Sequence, residues 1–273
     1  MRLVSICPSN TEKIAYLGLV DQLVGVDDFS DWPTVTRSLP RLGPDLRIDM
    51  DKVEALQPDL VVASLSVPGM ERNVEELQKR DIPHVVYNPH SLKEIGECLK
   101  DLAKRTGATA KATVAIERYE RIIEHYRSLA ANVEPVRLYW EWWPKPVFTP
   151  GGTNWLTEIS ALAGGINVYG DTSIPSVKTD WDDVLNKQPD HICLAWVGIA
   201  ADKVKPELLW KRPNWERMAA LQEGKVHALE EPLYCRPSPR LLLGLKKLAA
   251  LLHPSHFPAN DGKDPLWDHN VDY

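Results

Sequence analysis

The residues best suited to ligand chemistry lie at positions 136–152, where three tryptophans surround one carboxylate. Trp140, Trp142 and Trp143 flank Glu141, and the strand-like run that carries them enters a stretch of three prolines and two glycines, which argues against further regular structure. Alternation along a strand sends Trp140 and Trp142 to one face and Glu141 and Trp143 to the other. Any one indole could fill a core, and Glu141 could be an exposed carboxylate without a partner. Together they predict a flat binding wall, with Glu141 accepting hydrogen bonds from a ligand.

Further candidate residues stand in loops at the ends of predicted strands, where parallel α/β folds bind their ligands. Phe29 and Trp32 occupy a long irregular loop, Trp196 ends a strand, and Tyr234 lies shortly before the last helix. A ligand contact is favoured for Trp32, whereas core packing is an equal alternative for Phe29 and Trp196. Arg236 could bind a phosphate or carboxylate group, or it could simply be solvated.

Metal ligation and catalysis have weaker support. Cys235 and His90 could coordinate a metal carried by a ligand, but a lone cysteine or histidine in a loop is seldom a metal ligand. The four cysteines form no CxxC pair, so no zinc or redox motif is indicated. The chain has neither a Gly-x-Ser-x-Gly elbow nor a phosphate-binding loop with its lysine. We therefore expect no catalytic residue, no catalytic cofactor and no resident metal.

Composition narrows the class of protein. The 273 residues are 44% hydrophobic and 26% charged, as in soluble globular proteins. A net charge of −6, without a basic patch, argues against nucleic acid as a partner. No apolar run reaches the length of a membrane span. The N-terminus enters a strand without a secretory signal, so the sequence as written predicts a cytoplasmic location. We expect a monomer.

Strands and helices alternate along the chain, which predicts parallel sheets covered by helices on both faces. Residues 9–12 and 91–94 fit the capping-box pattern of a helix start. Residues 108–131 predict one long helix of about 36 Å. The tripeptide Gln-Pro-Asp occurs at 57–59 and again at 188–190, each time between a helix and a strand. These patterns indicate two α/β lobes of like construction.

The predicted fold class is therefore α/β, with two Rossmann-like lobes built on parallel sheets and joined by a single long spanning helix. The predicted division places the first lobe at residues 1–106, the spanning helix at 107–132, and the second lobe with its extended tail at 133–273.

In their order, these segments resemble the helical-backbone substrate-binding proteins of ABC importers, the class that captures cobalamin, haem and ferric siderophores. The resemblance covers nearly the whole chain and is nearest to the members that bind cobalamin. It runs through Ser-Asn-Thr-Glu at 9–12, Leu-Gln-Pro-Asp-Leu-Val at 56–61, Gly-Met-Glu-Arg at 69–72, Phe-Thr-Pro-Gly at 148–151, Ala-Gly-Gly-Ile-Asn-Val at 163–168 and Arg-Pro-Ser-Pro-Arg at 236–240.

The resemblance implies a non-catalytic protein, outside the cytoplasm, that holds a cobalamin-like corrinoid between its lobes for an ABC importer. Phe29 and Trp32 would contact the ligand from one lobe, and the Trp140–Trp143 wall with Tyr234 from the other. It also implies one carboxylate on each lobe that docks on the importer. Glu71 matches the first, but Cys235 stands where the second is expected. Cys235 or His90 would then be the candidate cobalt ligands.

Three alternatives stay open. A haem or ferric-siderophore binder of the same fold would need a basic cleft, for which Arg37, Arg41, Lys145 and Arg236 are the candidates. A cytosolic corrinoid-handling or regulatory protein would explain the missing signal sequence and the cysteine at position 235. A cytosolic enzyme has the least support.

Overall fold

The computed structural model describes residues 1–267 and consists of two lobes that share one long helix. The first lobe is a four-stranded parallel sheet with helices packed on it. Its elements are β1 (Leu3–Ser5), α1 (Pro8–Tyr16), β2 (Leu23–Val26), α2 (Met50–Ala55), β3 (Leu60–Ser64), α3 (Glu71–Lys79), β4 (His84–Tyr87) and α4 (Leu92–Thr106). The strand order is β2-β1-β3-β4.

The second lobe repeats this plan and adds a small antiparallel sheet. Its elements, preceded by the spanning helix, are α5 (Thr109–Ala130), β5 (Val136–Glu141), β6 (Trp143–Pro144), β7 (Val147–Pro150), α6 (Trp155–Leu162), β8 (Gly165–Asn167), β9 (Ser176–Thr179), α7 (Trp181–Lys187), β10 (His191–Leu194), α8 (Ala219–Gln222), β11 (Val226–Ala228) and α9 (Leu241–Leu252). The parallel sheet has the order β8-β5-β10-β11, and β6-β7-β9 form the antiparallel one. The predicted fold class of two α/β lobes and a spanning helix is confirmed.

The repeated Gln-Pro-Asp tripeptide makes the same corner in both lobes. The backbone N–H of Arg2 donates to a carboxylate oxygen of Asp59 at 2.6 Å, and the N–H of Asp59 donates to the carbonyl of Arg2 at 2.9 Å. Arg137 and Asp190 repeat both bonds in the second lobe, at 2.7 and 2.9 Å. Each aspartate therefore ties the first strand of its lobe to the strand beside it.

The proline-rich stretch after β5 is regular, which corrects the expectation of an irregular loop. Trp143 pairs with Phe148, and Pro144 pairs with Val147, in an antiparallel hairpin. Strand β6 lies at the edge of its sheet, where a proline need not donate to a neighbouring strand. Past the hairpin, Gly151 lies so close to the next loop that a Cβ would be 2.0 Å from the carbonyl oxygen of Ile174.

One of the two predicted capping boxes forms in part, since Glu94 accepts from the backbone N–H of His90 rather than from that of Ser91. The hydroxyl of Ser91 accepts from the N–H of Glu94 at 3.1 Å and begins α4. Helix α1 instead begins at Pro8, with Cys7 as its N-cap, because proline fits the first position of a helix. The predicted box at 9–12 therefore lies inside the helix, which leaves Glu12 available for other contacts.

The spanning helix α5 belongs to both hydrophobic cores. Ala112 and Ile116 lie in the core of the first lobe, whereas Tyr119 and Tyr126 lie in that of the second. Its 22 residues reach about 33 Å at ~1.5 Å per residue. Within residues 1–267, no helix combines the length and the apolar character that a membrane span requires. The exact lobe boundaries stay a prediction.

Candidate functional site

Loops from the carboxyl ends of both parallel sheets meet between the lobes. On the first lobe these are α1, which follows β1, and the long loop after β2. On the second lobe it is the segment 229–240, between β11 and α9. Ion pairs from Arg236 to Glu12 and Asp31 join the two sides. Because parallel α/β sheets bind ligands at this edge, we take this place, called here the lobe junction, as the candidate site.

The centre of the lobe junction is the carboxylate of Glu12, which is 1% exposed. One of its oxygens accepts from Arg236 at 3.2 Å and from Arg240 at 3.0 Å, and its other oxygen accepts from the hydroxyl of Ser238. All three donors come from the second lobe. A carboxylate buried with this many donors is well satisfied, so Glu12 fastens the lobes together.

Arg236 is surrounded by carboxylates rather than available to an anionic ligand. Besides Glu12, it contacts Asp31 at 2.7 Å and Glu231 at 3.5 Å. Burial opposes the charge of Arg236, but these three carboxylates raise its pKa above the ordinary value. Burial also raises the pKa of Glu231, against the pull of Arg236.

Two more carboxyl groups lie nearby, and burial disfavours their charged form. Burial raises the pKa of Asp27 to about 6 and raises that of Asp45, and Arg236 acts electrostatically on both. Arg41 donates to the backbone carbonyls of Asp27 and Ser30, each at 2.8 Å. Five carboxylates therefore face three guanidinium groups here. The other two cations expected for a basic cleft, Arg37 and Lys145, are exposed.

Glu141 is not free to bind a ligand, which corrects its predicted role. It is fully buried and accepts two bonds from Arg212, at 2.6 and 2.7 Å. The hydroxyl of Tyr139 and the indole N–H of Trp196 donate to it at 2.7 and 3.0 Å. Arg212 was not foreseen, because its position in a loop 71 residues away gives no signal in the sequence.

The tryptophans of the predicted binding wall differ in burial: some lie in the core and others at the surface. Trp140 and Tyr234 are fully buried, with ring centroids 5.4 Å apart, so both fill the second core and offer no face to a ligand. Trp142 is half-buried and packs beside Trp155, and its indole N–H has no partner within residues 1–267. Trp143 is 44% exposed. Trp142 and Trp143 therefore remain candidates for ligand contacts.

The first-lobe aromatic residues differ in the same way. Phe29 is 51% exposed, and its backbone N–H donates to Asp27 at 2.8 Å. Trp32 is covered by the guanidinium of Arg240 at 4.7 Å, by Tyr16 at 5.1 Å and by Trp267 at 4.4 Å. Phe29 is thus open to a ligand, whereas Trp32 is enclosed.

The remaining predicted residues, Cys235, His90 and Glu71, each have contacts of their own. The thiol of Cys235 donates to the carbonyl of Ala195 at 3.3 Å, and burial raises its pKa, which disfavours the thiolate form that binds metals. His90 is half-buried, with its backbone N–H on Glu94. Glu71 is exposed at the start of α3 and accepts from the N–H of Gly69 at 2.7 Å.

The chain and its fold resemble those of known proteins. The family model described as periplasmic binding protein matches residues 3–233. The chain belongs to the periplasmic binding protein family. A vitamin B12-binding protein of Vibrio cholerae is 27% identical over 254 residues, which cover 92% of this chain and 88% of that protein. One from Yersinia pestis is 27% identical over 251 residues, covering 90% and 84%.

Two solved structures superpose on most of the fold. The periplasmic vitamin B12 binding protein BtuF of Vibrio cholerae matches with a TM-score of 0.77 and 26% identity, over 92% of this chain and 96% of that one. A periplasmic heme binding protein of Pseudomonas aeruginosa matches with a TM-score of 0.83 and 22% identity, over 97% and 96%. The second likeness shows the shared fold alone.

Proposed function

We propose that this protein captures a corrinoid such as cobalamin between its two lobes and delivers it to an ABC importer. The role is binding without catalysis, and the corrinoid is cargo rather than a cofactor. The protein acts as a monomer, and it acts outside the cytoplasm, because the solved Vibrio cholerae protein that it resembles is named periplasmic. Its lobes are residues 1–106 and 133–273, with the spanning helix at 107–132.

The observation that carries the proposal is the charge balance at the lobe junction. Haem and the carboxylate or catecholate ferric siderophores are anionic, and binding them at the lobe junction would need a cation there that carboxylates do not already neutralise. Here five carboxylates face three guanidinium groups, and Arg236 already has three anionic neighbours. An added anion at ~8 Å would cost roughly 2 kcal/mol per uncompensated charge at an effective dielectric constant of about 20. An electroneutral corrinoid avoids this cost.

Unpaired donors at the same edge suit the amide groups of a corrinoid. Within the described residues, the indole N–H of Trp142 and the Nε of Arg240 are buried without partners. A buried donor without a hydrogen bond costs free energy, and a ligand that supplies an acceptor removes this cost. The amide carbonyls of a corrinoid are neutral acceptors of this kind. Phe29, Trp143 and the partly exposed face of Trp196 supply apolar surface for the ring.

Docking on an importer uses Glu71, the exposed carboxylate of the first lobe. For the second lobe, Glu230 is the better candidate of two neighbours. Its side chain is 44% exposed and bonds to Lys247, whereas Glu231 is buried against Arg236. Cys235 supplies no charge at this place.

A titration with cyanocobalamin tests the proposal, with the visible corrin bands and tryptophan fluorescence followed together. We expect saturation at one equivalent. Haemin and a ferric siderophore, titrated in parallel at low and high salt, should bind more weakly, and raising the salt should reduce the difference. If cyanocobalamin does not bind and haemin does, the ligand is haem and the charge argument is wrong.

A further inference from the structure

The C-terminal strap, residues 253–267, is fixed first to the second lobe and to the spanning helix. Phe257 stacks on Tyr126 of α5, with centroids 5.8 Å apart and an angle of 18° between the rings. Lys246 of α9 binds the carboxylate of Asp261 and the carbonyl of Lys263. These contacts carry the chain away from α9 and toward the first lobe.

The strap ends against the first lobe through one aspartate. Asp264, which is 9% exposed, accepts a hydrogen bond from the hydroxyl of Tyr16 with one oxygen. Its other oxygen accepts from the backbone N–H groups of Leu266 and Trp267, at 2.9 and 3.3 Å. Burial and Asp264 together raise the pKa of Tyr16, which therefore stays a donor. The side chain of Asp264 thus stabilises the turn at residues 264–267 and attaches this part of the strap to Tyr16 of the first lobe.

The attachment places Trp267 on Trp32. The two rings meet edge to face, with centroids 4.4 Å apart, and Trp267 also meets the edge of Tyr16 at 5.7 Å. The guanidinium of Arg240 lies over the Trp32 ring at 4.7 Å. A flat ligand that stacks on Trp32 would therefore have to displace one of these three groups, and Trp267 is the one that belongs to the strap.

We propose that Trp267 is a built-in occupant of the ligand position on Trp32, so that the strap and the ligand compete for it. The proposal rests on the proposed function, because it needs a flat ligand between the lobes. Ligand binding then includes release of residues 264–267, while the anchors at Phe257 and Asp261 hold. The apparent dissociation constant is the intrinsic one divided by the fraction of molecules with the strap released.

Two variants of the full chain test this competition. Trp267→Ala removes the occupant, and Asp264→Asn weakens its attachment to Tyr16 while keeping the indole. Trp210→Ala is the control, since Trp210 is 50% exposed in a different loop. The probes are cyanocobalamin and haemin, with circular dichroism to confirm folding. We expect Trp267→Ala to lower the dissociation constant about three- to thirtyfold, Asp264→Asn to have a smaller effect in the same direction, and Trp210→Ala to have none.

The possible outcomes test the competition by the strap and the choice of ligand independently. If the wild type binds cyanocobalamin and Trp267→Ala binds it equally or more weakly, competition is overturned and the proposed function stands. If only haemin binds, and more tightly to Trp267→Ala, the strap competes but the corrinoid assignment fails. If neither probe binds either protein, both proposals are overturned.

Discussion

Replacing Glu141 by glutamine separates the two roles considered for this residue. The substitution keeps the shape of the side chain but leaves the guanidinium of Arg212 buried, 4% exposed, without its anion. Removing one member of a buried ion pair costs about 3–5 kcal/mol. Domains of ordinary stability have roughly 5–15 kcal/mol in total, so Glu141→Gln should fold with a much reduced margin. A ligand acceptor would instead show unchanged stability and weaker ligand binding.

Urea denaturation followed by circular dichroism measures this loss, with the free energy of unfolding obtained by linear extrapolation. The control is Asp51→Asn, which removes the charge of Asp51 from its exposed ion pair with Arg80 and should cost less than about 1 kcal/mol. The double variant Glu141→Gln/Arg212→Met should recover much of the loss, because it removes both charges. A loss below about 1 kcal/mol for Glu141→Gln would refute the reasoning.

Three further predictions follow from the same contacts. Trp142→Ala should weaken corrinoid binding by about 2 kcal/mol in a fluorescence titration. Trp140 is buried, so Trp140→Ala should instead lower the free energy of unfolding by about 3–5 kcal/mol. The reverse pattern would contradict the assignment of Trp142 to the ligand and Trp140 to the core. Burial and, to a smaller extent, the neighbouring His227 lower the pKa of His191 from 6.5 to about 4. As the pH falls from 6.5 to about 4, the unfolded chain is protonated at His191 before the folded protein is, so the free energy of unfolding decreases over this range. His191→Asn should reduce this acid loss by roughly 2 kcal/mol, after allowance for partial solvent contact, which urea midpoints at pH 7 and pH 4.5 would measure. Gly151→Ala should lower stability by about 1–3 kcal/mol in the same assay, and an unchanged midpoint would show that the loop yields without cost.

The fold was readable from the sequence because its signals are local. Alternating strands and helices, an unbroken helical stretch and the repeated Gln-Pro-Asp each depend on neighbouring residues. The repeated tripeptide predicts two lobes of like construction, and Asp59 and Asp190 make the same corner in the two lobes. The hairpin at 143–150 differs from the prediction of irregular structure, because an edge strand accepts prolines.

The site was less predictable because its key contacts join distant parts of the chain. Glu12 matched a capping-box pattern, and only the fold brings it to Arg236, 224 residues later. Glu141 looked like an available carboxylate because Arg212 lies far along the sequence. The strand alternation gave the correct opposite directions for Trp140 and Glu141, but it could not reveal that both directions are buried.

The sharing of α5 between the cores makes the protein one cooperative unit. Ala112 and Ile116 complete one core and Tyr119 and Tyr126 the other, within a single uninterrupted helix. Melting either lobe would remove the partner surface from the half of this helix that packs on that lobe and would expose the apolar side chains of that half. Heat should therefore unfold both lobes in one calorimetric transition. A fragment that ends at residue 106 would lack Ala112 and Ile116. Its free energy of unfolding should therefore be much smaller than the contribution of the same residues in the intact chain.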